Sequence, residues 1–217
     1  MAGSAPGNDA LIDLLAHFGM SLSAGQVRQL QAYVEMVFRW QRIANLTAAE
    51  SPARFIAEHI ADSLAVVPHL DNGFWVDVGS GAGLPGVVAA ICTPSSRYRL
   101  VEPRAKRARF LRQVAIDVGL PNVEVSAARV QQERLTVTPD GIISRALGSL
   151  VDFVKISRPL CDQGTKIVAM KSHLDDDDLH EAERLAGPAT VISLTVPGFS
   201  ERNLVVFSAP RRLLAGS

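Results

Sequence analysis

The chain is short of cysteine, of net charge and of long apolar runs, and each shortage argues against a class of protein. Two of its 217 residues are cysteines, Cys92 and Cys161, and neither belongs to a C-x-x-C pair. That spacing speaks against both a disulfide scaffold and a zinc site. The five histidines show no metal-ligand spacing either, so no metal is expected. Basic and acidic residues both number 22, which leaves no net charge. Proteins that hold nucleic acid through many phosphates usually carry a basic excess, so any such contact here must come from a local patch. The longest clean apolar run, Val87 to Cys92, is far too short to span a bilayer. The N-terminus lacks the basic start and apolar core of a signal peptide. The expectation is a soluble cytoplasmic protein without a membrane partner. Asn45-Leu46-Thr47 then matches a glycosylation pattern by chance.

What is present is enough apolar residue, 47%, for one medium domain with a sizeable core. The first seventy residues read as helical. A helix is expected over Ala10 to His17. Ser23 and Gln26 form a capping box flanked by Leu22 and Val27, and Val27, Leu30, Val34 and Val37 continue a helical stripe to about Trp40. Pro52 can open another helix through Phe55, His59 and Leu64. Beyond the Asn72-Gly73 turn, short apolar β-rich runs ("FWVDV", "YRLVEP", "VEVSAA", "DGIISRA", "TKIVAMK") alternate with helical stretches. Such alternation implies an α/β fold with a mostly parallel sheet covered on both faces. "TVISLTV" and "NLVVFSA" look like an antiparallel pair closing it. The expected division is a helical cap over residues 1–72 and a core over 73–217, packed as one unit. Asp175 to Asp178 reads as a solvated loop or a helix start.

The densest signal is "DVGSGAGLPG", residues 77–86. A glycine-rich loop between a parallel strand and a helix is where such sheets bind ligands. Gly81, Gly83 and Gly86 alone spell the dinucleotide fingerprint. Asp77 shifts the choice, because a carboxylate ending the first strand repels a pyrophosphate and attracts a cationic amine. The acid-x-Gly-x-Gly-x-Gly pattern from Asp77 through Gly79, Gly81 and Gly83 therefore favours S-adenosylmethionine over a nicotinamide cofactor. Glu102, placed at the end of the second strand, can accept hydrogen bonds from ribose hydroxyls, although NAD enzymes use an acid similarly.

Arg97, Arg99, Arg104, Lys106, Arg107, Arg109 and Arg112 crowd sixteen residues with one acid, Glu102. The cluster is a candidate for phosphate contact, Arg104, Lys106 and Arg109 foremost, with Arg107 near enough to the apolar stripe to snorkel. His59 and Asp62 share a helical face. A packed, hydrogen-bonded histidine bridging cap and sheet is the expectation there, ahead of an acid–base pair.

Six runs occur in the order found in the RsmG (GidB) family, which the chain resembles from about residue 20 to 207: "NLTA", "HIADSL", "DVGSGAGLPG", "KRARFL", "SRALGSL" and "ERNLVVF". The resemblance implies a Rossmann-like class I methyltransferase. Its sheet would be seven-stranded and mostly parallel, with an antiparallel C-terminal strand and an N-terminal helical cap. The family methylates N7 of one guanosine in the 530 loop of bacterial 16S rRNA with S-adenosylmethionine. The implied partner is 16S rRNA or the small ribosomal subunit, and a monomer is expected. By the family pattern the cofactor touches Gly79, Leu84, Val130, Gln131 and Arg145, while Asn45, Lys106, Arg145 and Lys171 surround the cleft, with Asn45, Arg145 and Lys171 as the catalytic candidates. The chain departs from the family's Arg-x-Glu-Glu with Arg129-Val130-Gln131-Gln132, and it has Glu102 for the commoner aspartate. Asn45 also suits a helix C-cap. Trp40 and Phe55 could stack on a base, with core packing preferred for both. Guanine N7 has a free lone pair and no proton, so no general base is called for and Arg145 is assigned to positioning. A small-molecule methyltransferase, a nicotinamide oxidoreductase and a ribosome-binding module without catalysis stay open as alternatives.

Overall fold

The computed structural model describes residues 8–145 and 148–208, so Ala146 and Leu147 of the "SRALGSL" run, and both chain ends, lie outside the described residues. Four α-helices come first, with a π-helical and a 3-10 turn among them. Helix α1 spans Asn8–His17 and α2 spans Ala24–Ala44. Ser23 and Gln26 make the reciprocal cap, with Gln26 N–H donating to Ser23 Oγ at 3.2 Å and Ser23 N–H donating to Gln26 Oε1 at 2.9 Å. Helix α2 runs past Trp40, because Gln41 to Ala44 are acceptable helix formers and Ala44 is buried. It stops where Asn45 turns left-handed at φ 53° and closes on Gln41 O.

The segment opened by Pro52 is not one uniform helix. It divides into α3 (Pro52–Phe55), a π-helical turn (Ile56–Ile60), α4 (Ala61–Val66) and a 3-10 turn (Val67–His69). Phe55, Ile56, Ile60, Ala61 and Leu64 are all buried, so the widened turn keeps an apolar face on the core while re-aiming the polar residues beside it. Phe55 is fully buried and the Trp40 ring sits 5.9 Å from that of Phe110, so both aromatics go to packing.

The described sheet has seven strands in the order β3-β2-β1-β4-β5-β7-β6. They are β1 Phe74–Val78, β2 Arg97–Val101, β3 Val123–Ser126, β4 Gly141–Ser144, β5 Lys166–Lys171, β6 Ala189–Ser193 and β7 Asn203–Ser208. The first five are parallel, and β7 runs antiparallel to both β5 and β6. The chain steps outward from β1 to β3 and then returns to β4, so the order in which strands are added reverses between the parallel β1 and β4. Between strands lie α5 (Gly86–Cys92), α6 (Ala105–Asp117), α7 (Leu150–Ser157) and α8 (Asp176–Ala186). Strand β2 ends at Val101, which puts Glu102 one residue past it rather than on it.

Helix α8 was visible in the sequence only as a start. Asp175 caps it by accepting from Asp178 N–H at 2.9 Å. Asp178 is not a solvated bystander, since it accepts from Leu150 N–H at 2.6 Å and Val151 N–H at 3.1 Å and so caps α7 as well. One apolar cluster joins α1 through α6 to one face of the sheet, and a second lies under α7 and α8 on the other face. Two glutamines fasten α2: Gln26 Nε2 donates to Ile91 O at 2.8 Å and Cys92 O at 3.2 Å, and Gln29 Nε2 donates to Val118 O and Gly119 O, both at 3.1 Å.

Candidate cofactor and acceptor site

Parallel strands that alternate with helices end at the same edge, and here the C-terminal ends of β3, β2, β1, β4 and β5 line up side by side. The glycine loop follows β1, with Gly79, Gly81 and Gly83 at φ 72°, 58° and 99°. At Gly81 the left-handed turn, and not crowding, favours glycine, since a Cβ there would meet nothing nearer than Gly79 O at 3.7 Å. Gly86 serves packing instead, because a Cβ would stand 2.4 Å from Leu100 Cδ2 and 2.6 Å from Asp77 Oδ2. Tyr33 of α2 steadies the loop from beneath, its buried hydroxyl donating to Ala82 O at 2.8 Å. Burial raises that phenol's pKa strongly.

Asp77 is 1% exposed. Its Oδ2 accepts from Gly86 N–H at 3.1 Å, and its Oδ1 is buried without any hydrogen-bond partner. Burial pushes this carboxyl up to about 7, against the Gly86 hydrogen bond and the charge of Arg145, while the Ser80 hydroxyl donates to the main-chain oxygen of Asp77 at 2.9 Å. Glu102 is also buried, with Oε2 accepting from Gly81 N–H at 2.9 Å and Oε1 from Arg104 N–H at 2.8 Å. Beyond β3, a 3-10 turn carries Val130, which is buried, and Gln131, which is exposed. Leu84 is buried in the loop.

A second hollow, of about 300 Å³, adjoins this crevice at the ends of β4 and β5. His59, on the π-helical turn, sets one ring nitrogen 3.1 Å from Thr47 Oγ1 and the other 3.2 Å from Arg145 Nη1. The arginine can only donate, so Nδ1 accepts and Nε2 carries the proton toward Thr47. Burial first, then Arg145, lowers the His59 pKa to about 4. Asp62 lies 3.7 Å from Arg145 Nη1 and accepts from Arg202 Nε at 3.0 Å. Arg202 in turn lies 3.8 Å over the Phe199 ring. His59 and Asp62 thus meet through Arg145, as a strut between cap and sheet.

Lys171 ends β5 and its ammonium donates to Gly148 O. Asn45 sits in its left-handed cap with its residue exposed, and Arg107 Nη2 donates to Asn45 O at 2.8 Å, which ties the cap to α6. Arg104, Lys106 and Arg109 are exposed around the start of α6, and none of them forms an ion pair among the described residues. Two others of the basic run are committed elsewhere: Arg97 covers the Phe74 ring at 5.1 Å, and Arg99 pairs with Glu124 at 2.8 Å and Glu133 at 2.7 Å.

A profile of the GidB family, described as rRNA small subunit methyltransferase G, matches residues 26–206. The chain belongs to the GidB family. Curated members named ribosomal RNA small subunit methyltransferase G include one from Nitrosospira multiformis, 40% identical over 90% of this chain and 94% of that protein. Another, from Methylobacillus flagellatus, is 35% identical over 91% of this chain and 96% of that protein. Among solved structures, the S-adenosylmethionine-dependent methyltransferase SibL aligns with a TM-score of 0.61 at 17% identity, covering 95% of this chain and 78% of that one. A methyltransferase from Pyrococcus furiosus aligns at 0.57 and 15% identity, over 82% and 96%. These likenesses show the fold: a Rossmann-like class I methyltransferase sheet with one antiparallel strand near its C-terminal end. No helix among the described residues is long and apolar enough to cross a membrane.

For this GidB-family crevice the chemistry of the residues suits S-adenosylmethionine. The partnerless Oδ1 of Asp77 calls for a donor, best a cationic one. Each Glu102 oxygen holds one N–H and keeps a lone pair for a hydroxyl. Reading the sequence did not single out Tyr33 or Arg202 as site residues. Tyr33 was signalled by a lone hydroxyl within the apolar stripe of α2, and Arg202 by its place just before β7 in "ERNLVVF".

Proposed function

We propose that the chain transfers a methyl group from S-adenosylmethionine to N7 of a guanosine in the 530 loop of 16S rRNA, acting in the cytoplasm as a monomer on that RNA or on the small subunit. The observation that carries this reading is family membership over nearly the whole chain, together with an acid-led glycine loop whose buried acid has a free oxygen. The bound cofactor supplies a sulfonium-activated methyl group.

The chain's own part is placement. Asp77 takes the cationic amine, Glu102 the ribose hydroxyls, and the backbone around Gly79, Gly81, Gly83 and Leu84 the body of the ligand. Val130 and Gln131 flank the adenine end. There Gln131 and Gln132 stand where relatives often have acids, so this reading assigns adenine recognition to backbone groups of the 3-10 turn. N7 needs no deprotonation, so His59, with both ring nitrogens engaged and a low pKa, is not called on as a base. Arg145 lies between crevice and hollow and positions the base. Lys171 lines the hollow, Asn45 is assigned to the acceptor side by the family pattern alone, and Arg104, Lys106 and Arg109 offer unpaired charge to RNA phosphates.

Mapping modified nucleotides in rRNA from cells with and without the protein tests the proposal. Loss of a single 7-methylguanosine in the 530 loop is expected. An unchanged modification map, or transfer to small acceptors in preference to ribosomal subunits, would refute it.

A further inference from the structure

We propose that the hollow beside the cofactor crevice seats the acceptor guanine, with Asp62 accepting from its N1–H and N2 amino edge and Arg145 donating to O6. The inference rests on the guanine-N7 reading above and adds which atoms select the base.

The argument begins with the base. In guanine, N7 and O6 share one edge, and proteins usually read guanine by placing an arginine fork across both. A nitrogen that must attack a methyl carbon cannot also be held by a donor. The base therefore has to be gripped by its opposite edge, which presents N1–H and the N2 amino group, both donors. A reader of that edge needs an acceptor fixed in a cavity.

The hollow, of about 300 Å³, is roomy enough for a purine and is lined by two acids, Glu58 and Asp62. Glu58 is committed to Arg54 across the surface. Asp62 is 6% exposed. Its Oδ1 accepts from Arg202 Nε at 3.0 Å, whereas its Oδ2 lies 3.7 Å from Arg145, outside hydrogen-bond range. Arg202 is clamped in turn by Phe199 beneath it and by its bond to Glu201 O at 2.9 Å, so the carboxylate is fixed in place. Arg145 uses Nη1 on His59 and has further donors for O6. Adenine would turn an acceptor, its bare N1, toward the carboxylate, and buried groups that cannot pair select strongly against the wrong ligand. The glycine crevice holds Asp77 and Glu102, so cofactor and base are read by separate acids.

Small subunits reconstituted with guanosine or inosine at the modified position provide the test. Inosine keeps N7, O6 and N1–H and lacks only the N2 amino group. Single-turnover methylation would be measured for the wild type and Asp62→Asn, with S-adenosylhomocysteine titrated into each. The wild type is expected to methylate inosine about tenfold to a hundredfold more slowly, the range for losing one hydrogen bond to a charged group. Asp62→Asn is expected to slow guanosine and bring the two rates together while binding S-adenosylhomocysteine normally. Equal wild-type rates on the two bases would overturn the proposal, and so would an unchanged preference in Asp62→Asn. Should that variant fail to fold, the wild-type ratio alone decides. No methylation of guanosine N7 at all would overturn the functional reading itself, a result distinct from equal rates.

Discussion

Replacing Asp77 with asparagine should make the cofactor-free protein more stable at pH 8 while impairing its cofactor binding. The carboxyl is buried and its pKa stands at about 7 rather than 3.8. That rise corresponds to about 4 kcal/mol at ~1.36 kcal/mol per pH unit. Between pH 4 and 7 the folded state keeps a proton that the unfolded chain has released, so stability falls as pH rises through this window and the full penalty is present above it. Asparagine removes the charge and can still accept from Gly86 N–H. Its amide N–H₂ would replace the partnerless Oδ1 and stay unsatisfied, a cost of about 1–3 kcal/mol. The balance is a gain of about 1–3 kcal/mol at pH 8 that vanishes or reverses at pH 5, where aspartate is protonated. Urea unfolding of both proteins at the two pH values reads the difference directly. Titration of S-adenosylhomocysteine, which retains the amine, should show affinity weakened about tenfold to a hundredfold. If the wild type and Asp77→Asn have the same stability difference at pH 5 and pH 8, the buried-charge argument is wrong. If affinity is unchanged, the amine lies elsewhere.

Tyr33→Phe strips the buried partner from Ala82 O and should lower stability by about 1–2 kcal/mol, roughly 3–6 °C in Tm, with weaker S-adenosylhomocysteine binding; calorimetry and titration check both. Changing Arg104, Lys106 and Arg109 together to glutamine should raise the KM for small subunits and reduce the salt slope of binding by about 0.7 for each phosphate that is no longer neutralised, with cofactor affinity unchanged. An unaltered salt slope would remove these residues from the RNA interface. His59 has its pKa lowered from 6.5 to about 4, so its neutral form contributes stability above pH 6.5 that is lost as pH falls toward 4. His59→Gln should therefore lose less stability than the wild type between pH 7 and pH 4.5 in urea titrations.

The parts of the fold that could be read from residues are those set by local rules. The Ser23–Gln26 box, the alternation of "FWVDV", "YRLVEP" and later strands with helices, and the closing run "NLVVFSA" all reappear where their patterns pointed. The π-helical turn at Ile56–Ile60 left no such trace, because its apolar residues fit an ordinary helix equally well and tertiary contacts choose the wider turn. Helix α8 was obscured because its opening four aspartates resemble a solvated run until Asp178 is seen capping another helix. The glycine loop and its acid could be located from spacing alone. What spacing could not reveal is that Asp77 keeps one oxygen unpartnered, or that Arg202 crosses 140 positions of chain to reach Asp62. Contacts between distant strands depend on the assembled sheet, and no window of neighbouring residues carries them.

The two amides of α2 have a consequence for how the crevice can open. Gln26 holds the final carbonyls of α5, and Gln29 those just past α6. These are the far ends of two rods whose near ends frame the glycine loop. The near ends are braced by the same helix, through Arg107 to Asn45 O and Tyr33 to Ala82 O. A helix that lies outside the sheet thus sets the gap between the two helices that flank the loop, at both of their ends.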